Sequence, residues 1–127
     1  MKLYVDDIRN APDESWTVAR TVGAAIKAIA MFGNSITDIS LDHDISHQVT
    51  IGDLSRPYPC DETFMPVADY IALKWNMETH PGSPIVPLVT LHTSNPVGAE
   101  MMKSVLEPHV NVVVKPTHLA NRLEMEV

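Results

Sequence analysis

Ile36-Thr37-Asp38-Ile39-Ser40-Leu41-Asp42-His43-Asp44 is the stretch that decides the fold. Ile36 to Leu41 has the composition of a short β-strand, and it stops on three ionisable residues in succession. The same pattern recurs on either side. Upstream, Leu3-Tyr4-Val5 ends in Asp6-Asp7-Ile8-Arg9; downstream, Leu88 to Leu91 ends in His92-Thr93-Ser94-Asn95, and Val110 to Val114 ends in Lys115-Pro116. In a parallel α/β sheet the carboxyl ends of the strands open on one edge, where such folds bind ligands, so these distant residues are expected to converge there.

The segments between these strands supply the rest of the fold. Trp16-Thr17-Val18-Ala19-Arg20 reads as a second strand, directly after the turn signal Ala11-Pro12-Asp13, which leaves no room for a helix between the first two strands. Thr21 caps a helix carrying Val22, Ala25, Ile26, Ile29 and Ala30 at helical spacing, with Gly33-Asn34 as its stop. Pro66 opens a second helix with Val67, Tyr70, Ile71 and Trp75 on one face, Lys74 as an exception, and His80-Pro81-Gly82 as its end. Ile85 to Leu91 is nearly all apolar, but Pro87 would forfeit a ladder hydrogen bond, so the regular strand begins at Leu88. Asn95-Pro96 starts a third helix with Val97, Met101, Val105 and Leu106 as its apolar positions, and Leu119 to Glu126 suits a short terminal helix. The order β, β, α, β, α, β, α, β predicts a single flavodoxin-like α/β domain. Its five-stranded, mostly parallel sheet has order 2-1-3-4-5, helices on both faces, and no helix after the first strand.

A chain of 127 residues fits one domain over 1–127, interrupted by a long loop insertion at about 45–65 that carries Gly52, Pro57 and Pro59. A loop of that length leaving an acidic cluster reads as a lid or specificity loop. The 9 Lys+Arg against 16 Asp+Glu give a net charge of −7, which disfavours a broad nucleic-acid surface, since phosphate neutralisation needs clustered basic residues. Cys60, the only cysteine, excludes an intramolecular disulfide. No apolar stretch is long enough for a membrane span, and the N-terminus lacks a signal-type apolar segment, so a cytoplasmic protein is expected.

Asp6, Asp7 and Asp42 would meet if the first and third strands pair. Two unit charges about 4 Å apart repel by about 4 kcal/mol at an effective dielectric of about 20, so such a cluster requires a cation. Two sources are open. A divalent ion, Mg²⁺ or alternatively Mn²⁺, suits an oxygen-rich site of Asp6, Asp7, Asp42 and the adjacent Asp44. Otherwise Arg9 and Lys115 neutralise the acids, Arg9 also being able to clamp a phosphate through two donors. His43 and His92, both at strand ends, are matched to acid–base work near neutral pH. Thr93, Ser94 and Asn95 offer hydroxyls and a helix start to a phosphate. His47, His80, His109 and His118 receive no role, and Cys60 is incidental.

Laid out in this way, the chain resembles the receiver domains of two-component signalling: an acidic pair after the first strand, an Asp after the third, a hydroxyl residue after the fourth and Lys-Pro after the fifth. On that template Asp6 and Asp7 correspond to the metal pair, Asp42 to the phosphoacceptor, Thr93 or Ser94 to the switch hydroxyl, and Lys115 to the phosphate-contacting lysine. Asp6-Asp7-Ile8-Arg9, Leu41-Asp42-His43-Asp44 and His92-Thr93-Ser94-Asn95-Pro96 together resemble a narrower group, the cyclic-phosphate-processing receiver-like domains. The resemblance implies a metal-assisted phosphoesterase acting on a cyclic phosphate or phosphodiester of a nucleotide or RNA-processing product. Asp42, His43 and His92 would be catalytic, and Arg9, Thr93, Ser94, Asn95 and Lys115 would bind phosphate. The rival readings are a phosphoacceptor receiver and a non-catalytic nucleotide- or protein-binding module. The expected partner is a small phosphorylated ligand, and a protein partner is left open.

Overall fold

The structure, a computed structural model, describes residues 1–45, 63–76 and 86–115. Its strands are β1 (Lys2–Val5), β2 (Trp16–Ala19), β3 (Asp38–Leu41), β4 (Leu88–Leu91) and β5 (Asn111–Val114). All neighbours are parallel, in the order β2-β1-β3-β4-β5. Among the described residues three α-helices connect them: α1 (Val22–Phe32), α2 (Met65–Lys74) and α3 (Pro96–Leu106). β1 runs to β2 without a helix, as the short spacing required.

Leu3, Val5, Ile39, Leu41, Val89 and Leu91 alternate onto one face of the sheet and are fully buried there. Ala25 and Ile29 of α1, Val67, Ala68 and Ile71 of α2, and Met102 and Leu106 of α3 share that core. Each large side chain so buried contributes about 1.5–3 kcal/mol. The connections β2 to β3, β3 to β4 and β4 to β5 advance in the same direction, and right-handed crossovers then lay their helices on one face. The described helices accordingly form a row on that one face, α1 against α2 and α2 against α3, where the sequence predicts helices on both faces. The terminal helix expected at 119–126 lies outside the described residues.

Local details differ from the sequence reading in physical ways. Thr21 caps α1 as expected, its side chain accepting from the Ala24 amide. α1 ends at Phe32 with Gly33 as its cap, as expected, but Gly33 keeps a right-handed helical conformation and the backbone tightens into a 3₁₀ turn over Gly33–Ser35. Gly33 matters also as space for the Lys74 side chain, whose Cε would lie 2.5 Å from a Cβ placed there. The buried stripe of α3 is Gly98, Ala99, Met102 and Leu106, while Val97 and Met101 face solvent. Small residues carry little hydropathy signal, which is why the stripe was misplaced onto the larger side chains. The insertion expected at 45–65 is joined at its root: Asp44 and Thr63 form an antiparallel bridge, and the Phe64 amide donates to the His43 carbonyl at 2.7 Å. Its body, 46–62, lies outside the described residues together with Cys60 and His47, as do His80 and His118.

Candidate active site

The sheet ladder continues one residue beyond the strands and fixes the backbone of the site. The amide of Asp6 donates to Ala19, that of Asp42 to Val5, that of His92 to Leu41 and that of Lys115 to Leu91, at 2.8–3.1 Å. Asp6, Asp42, His92 and Lys115 therefore form one row along the carboxyl edge. Because side chains alternate, this row shares a face with Tyr4 and Ser40, two residues earlier, and not with the helix-covered core.

On that face the His92 ring reaches over β3. Its Nε2 lies 2.9 Å from Asp6 Oδ2 and its Nδ1 2.7 Å from Ser40 Oγ. Tyr4 stacks against the ring, with centroids 4.6 Å apart and planes 10° from parallel. A carboxylate only accepts, so Nε2 carries a proton, and both ring nitrogens are engaged. Asp6 itself is fully buried. Burial works against its charge, yet the hydrogen bonds from His92 and from the amides of Arg9 and Ile8 outweigh that penalty and hold its carboxyl well below the usual range.

Arg9 closes the acid pair. Its Nη1 donates to Asp6 Oδ2 at 3.3 Å and to Asp42 Oδ2 at 3.2 Å. Arg20, which the sequence reading passed over, holds this loop in place by donating from Nη1 to the carbonyls of Asp6 and Arg9, at 3.2 and 2.6 Å. Asp42 accepts the His43 amide on its other oxygen at 2.8 Å. Burial, with the Asp6 charge second, pushes its carboxyl up to about 6. The nearby acids also push the buried Tyr4 phenol up to about 12, after burial itself.

The second histidine lies on the other face. His43 Nδ1 is 2.8 Å from Asp44 Oδ1, and Asn95 Nδ2 donates to the same oxygen at 3.2 Å. Asp44, although half-exposed, is held below the carboxylate range: some burial opposes its charge, and the bonds from His43 and Asn95 prevail. The ring rests on Gly98, where any Cβ would collide with it. Among the described residues nothing bonds to His43 Nε2.

The acids thus divide differently from the expectation. Among the described residues, the group whose ligand atoms lie close enough for a metal ion is Asp6, Asp42 and His92, all within 4.8 Å of one another. Asp7 is not in it, and Asp44 serves His43 and Asn95. Two carboxylates and an imidazole form a donor set compatible with a divalent ion, and the imidazole shifts the preference from Mg²⁺ towards Mn²⁺ or a later transition metal. The expected phosphate grip also changes. Thr93 is buried and its Oγ1 accepts the Asn95 amide, Ser94 is exposed, and Asn95 caps α3 by accepting from the Gly98 amide. Pro96 has no N–H, so of the first turn only the Val97 amide stays available. Lys115 is exposed, and among the described residues it forms no ion pair; Asp42 is served by Arg9 instead.

Tyr4 and Ser40 were absent from the sequence-based site. A signal existed: each stands two residues before an expected acid and faces the other across paired strands, Tyr4 opposite Ser40. The model of a family described as cyclic-phosphate processing receiver domain covers residues 1–108. No curated protein and no solved structure matches the chain. Among the described residues no helix is long and apolar enough to cross a membrane.

Proposed function

The chain belongs to the cyclic-phosphate processing receiver family, and from that premise we propose that it is a metal-assisted phosphoesterase that opens a cyclic phosphate or cleaves a related phosphodiester. The observation that carries the proposal is the meeting of Asp6 and Asp42 over a single guanidinium, with an imidazole against the same carboxylate oxygen. Receiver signalling would need Asp42 as a free nucleophile. In the metal-free structure both of its oxygens are engaged, one by Arg9 and one by the His43 amide, and a receiver has no use for His43, an imidazole aimed by Asp44.

Asp6, Asp42 and His92 would hold the ion, which when bound supplies charge stabilisation to the phosphoryl oxygens. The chain's own residues do the rest. Arg9 presents donors to a phosphate oxygen. His43, oriented by Asp44, takes the proton of the attacking water and returns one to the ester oxygen that leaves when its bond to phosphorus breaks. To hold the ion His92 would give up its Nε2 proton and its bond to Asp6; with Nδ1 kept on Ser40 it is a positioning residue and moves no proton in the reaction. Fully metal-stripped protein, reloaded with Mn²⁺ or Mg²⁺ and offered a panel of 2′,3′- and 3′,5′-cyclic nucleotides, is expected to yield the ring-opened monoester from at least one. Absence of product across the panel with both metals overturns the reading.

A further inference from the structure

The site already contains a cation, and it belongs to the chain. Arg9 Nη1 touches Asp6 Oδ2 and Asp42 Oδ2, and Asp6 Oδ2 is also the oxygen that meets His92 Nε2. These oxygens belong to the Asp6–Asp42–His92 group that is fit for a divalent ion. A guanidinium and an ion cannot occupy the same pair of oxygens. The Arg9 backbone is fixed independently, its amide on Asp6 Oδ1 at 2.9 Å and its carbonyl on Arg20 at 2.6 Å, so only the side chain is free to leave.

We propose that Arg9 is a tethered competitor of the metal: it neutralises the acid pair in the metal-free protein, and metal loading expels its guanidinium, which then serves phosphate. The inference rests on the proposed phosphoesterase site and deepens it. It explains how two buried acids coexist without an ion, since a single positive charge bridges them at about 3 Å. It also couples the two binding steps: donors committed to Asp6 and Asp42 cannot reach a phosphate, and the ion that takes those oxygens releases them. Metal would therefore precede substrate, and the protein without metal would bind phosphate poorly.

Two measurements on the full chain decide this. Calorimetric titration with Mn²⁺ alone is expected to show at least about tenfold tighter binding by Arg9→Gln than by the native protein, with Arg9→Lys between them. Equal or weaker binding by Arg9→Gln overturns the proposal. A nearby positive charge that stays in place would also weaken metal binding, so the second measurement follows the side chain itself. In the native protein the Arg9 Nη1 protons, which bond to both acids, should be protected from solvent exchange without metal and lose that protection as Mg²⁺ or Zn²⁺ is added. Protection that persists at metal saturation overturns displacement even if the affinities shift as expected. Neither readout needs turnover, so a failure of the phosphoesterase reading is seen separately in the cyclic-nucleotide panel.

Discussion

His43 and His92 stand at the ends of neighbouring strands, β3 and β4, and have opposite chemical freedom. His92 follows its strand by one residue and turns onto the Tyr4–Ser40 face, where both ring nitrogens and one ring face are occupied. His43 follows its strand by two residues and turns to the helix face, where Asp44 holds one nitrogen and Gly98 supports the ring. A difference of one residue in a two-residue period thus separates an imidazole that fixes a carboxylate from one whose Nε2 has no partner among the described residues, the nitrogen that moves the proton in the proposed mechanism. Residue type marks both as candidates; parity along the strand assigns the roles.

The sharpest way to break this contrast is to remove each ring in turn. His43→Ala should lower kcat on a cyclic phosphate by about 10²–10⁴-fold, the usual contribution of a positioned acid–base group, and its stability loss should be that of truncating a buried ring alone, because half-exposed Asp44 recovers water as its partner. His92→Ala should act on folding. Asp6 is fully buried, and losing a hydrogen bond to its charge costs about 1.5–3 kcal/mol, read as a lowered urea midpoint at unchanged slope. Equal stability losses in the two variants, or an unaffected kcat in His43→Ala, would erase the distinction.

Gly98→Ala probes the support of His43. The added methyl meets the ring, and overpacking of this kind costs about 1–3 kcal/mol, offset by about 1 kcal/mol of helix propensity. Stability should therefore change by less than about 2 kcal/mol, while kcat falls and KM stays, since the displaced ring acts on the proton and not on binding. Ser40→Ala is the counterpart at His92. It removes the 2.7 Å partner of Nδ1 and should cost about 1 kcal/mol, with Ser40→Thr restoring much of it.

How much of this was legible in the sequence follows from the same geometry. The row Asp6, Asp42, His92 and Lys115 could be read because each residue follows an apolar run, and a parallel sheet brings such positions to one edge. Neutralisation by Arg9 and Lys115 together was one of two open possibilities beside a divalent ion, and coordinates were needed to show that Arg9 meets both acids while Lys115 forms no ion pair among the described residues. Which acids share a face was not legible, because Asp6-Asp7 and Asp42-His43-Asp44 offer consecutive candidates and only the strand's last residue fixes the parity. Ser40 and Tyr4 escaped notice as ordinary strand residues, although their period-two relation to the acids was in plain view. Of the apolar positions expected on α3 Leu106 is buried and Val97 and Met101 are exposed, because Gly98 and Ala99, which turn inward with Gly98 against the His43 ring, carry little hydropathic weight.

The two buried acids differ as instructively as the two histidines, and the smallest expected effect tests that difference. Asp6 is held below its ordinary range, so its contribution to stability is present above the unfolded value near 3.8 and is lost only as pH falls below it. Asp42 is pushed up to about 6, so the opposite sign applies: its stabilisation is complete below about 3.8 and is lost as pH rises through 6. In chelator, raising pH from 4 to 7 should therefore lower the Tm of the native protein relative to Asp42→Asn, whose side chain carries no charge to bury. Below pH 4 the two curves should fall together as Asp6 takes up its proton. A constant gap between pH 4 and 7 would mean that Arg9 compensates both acids equally, and the asymmetry between them would be lost.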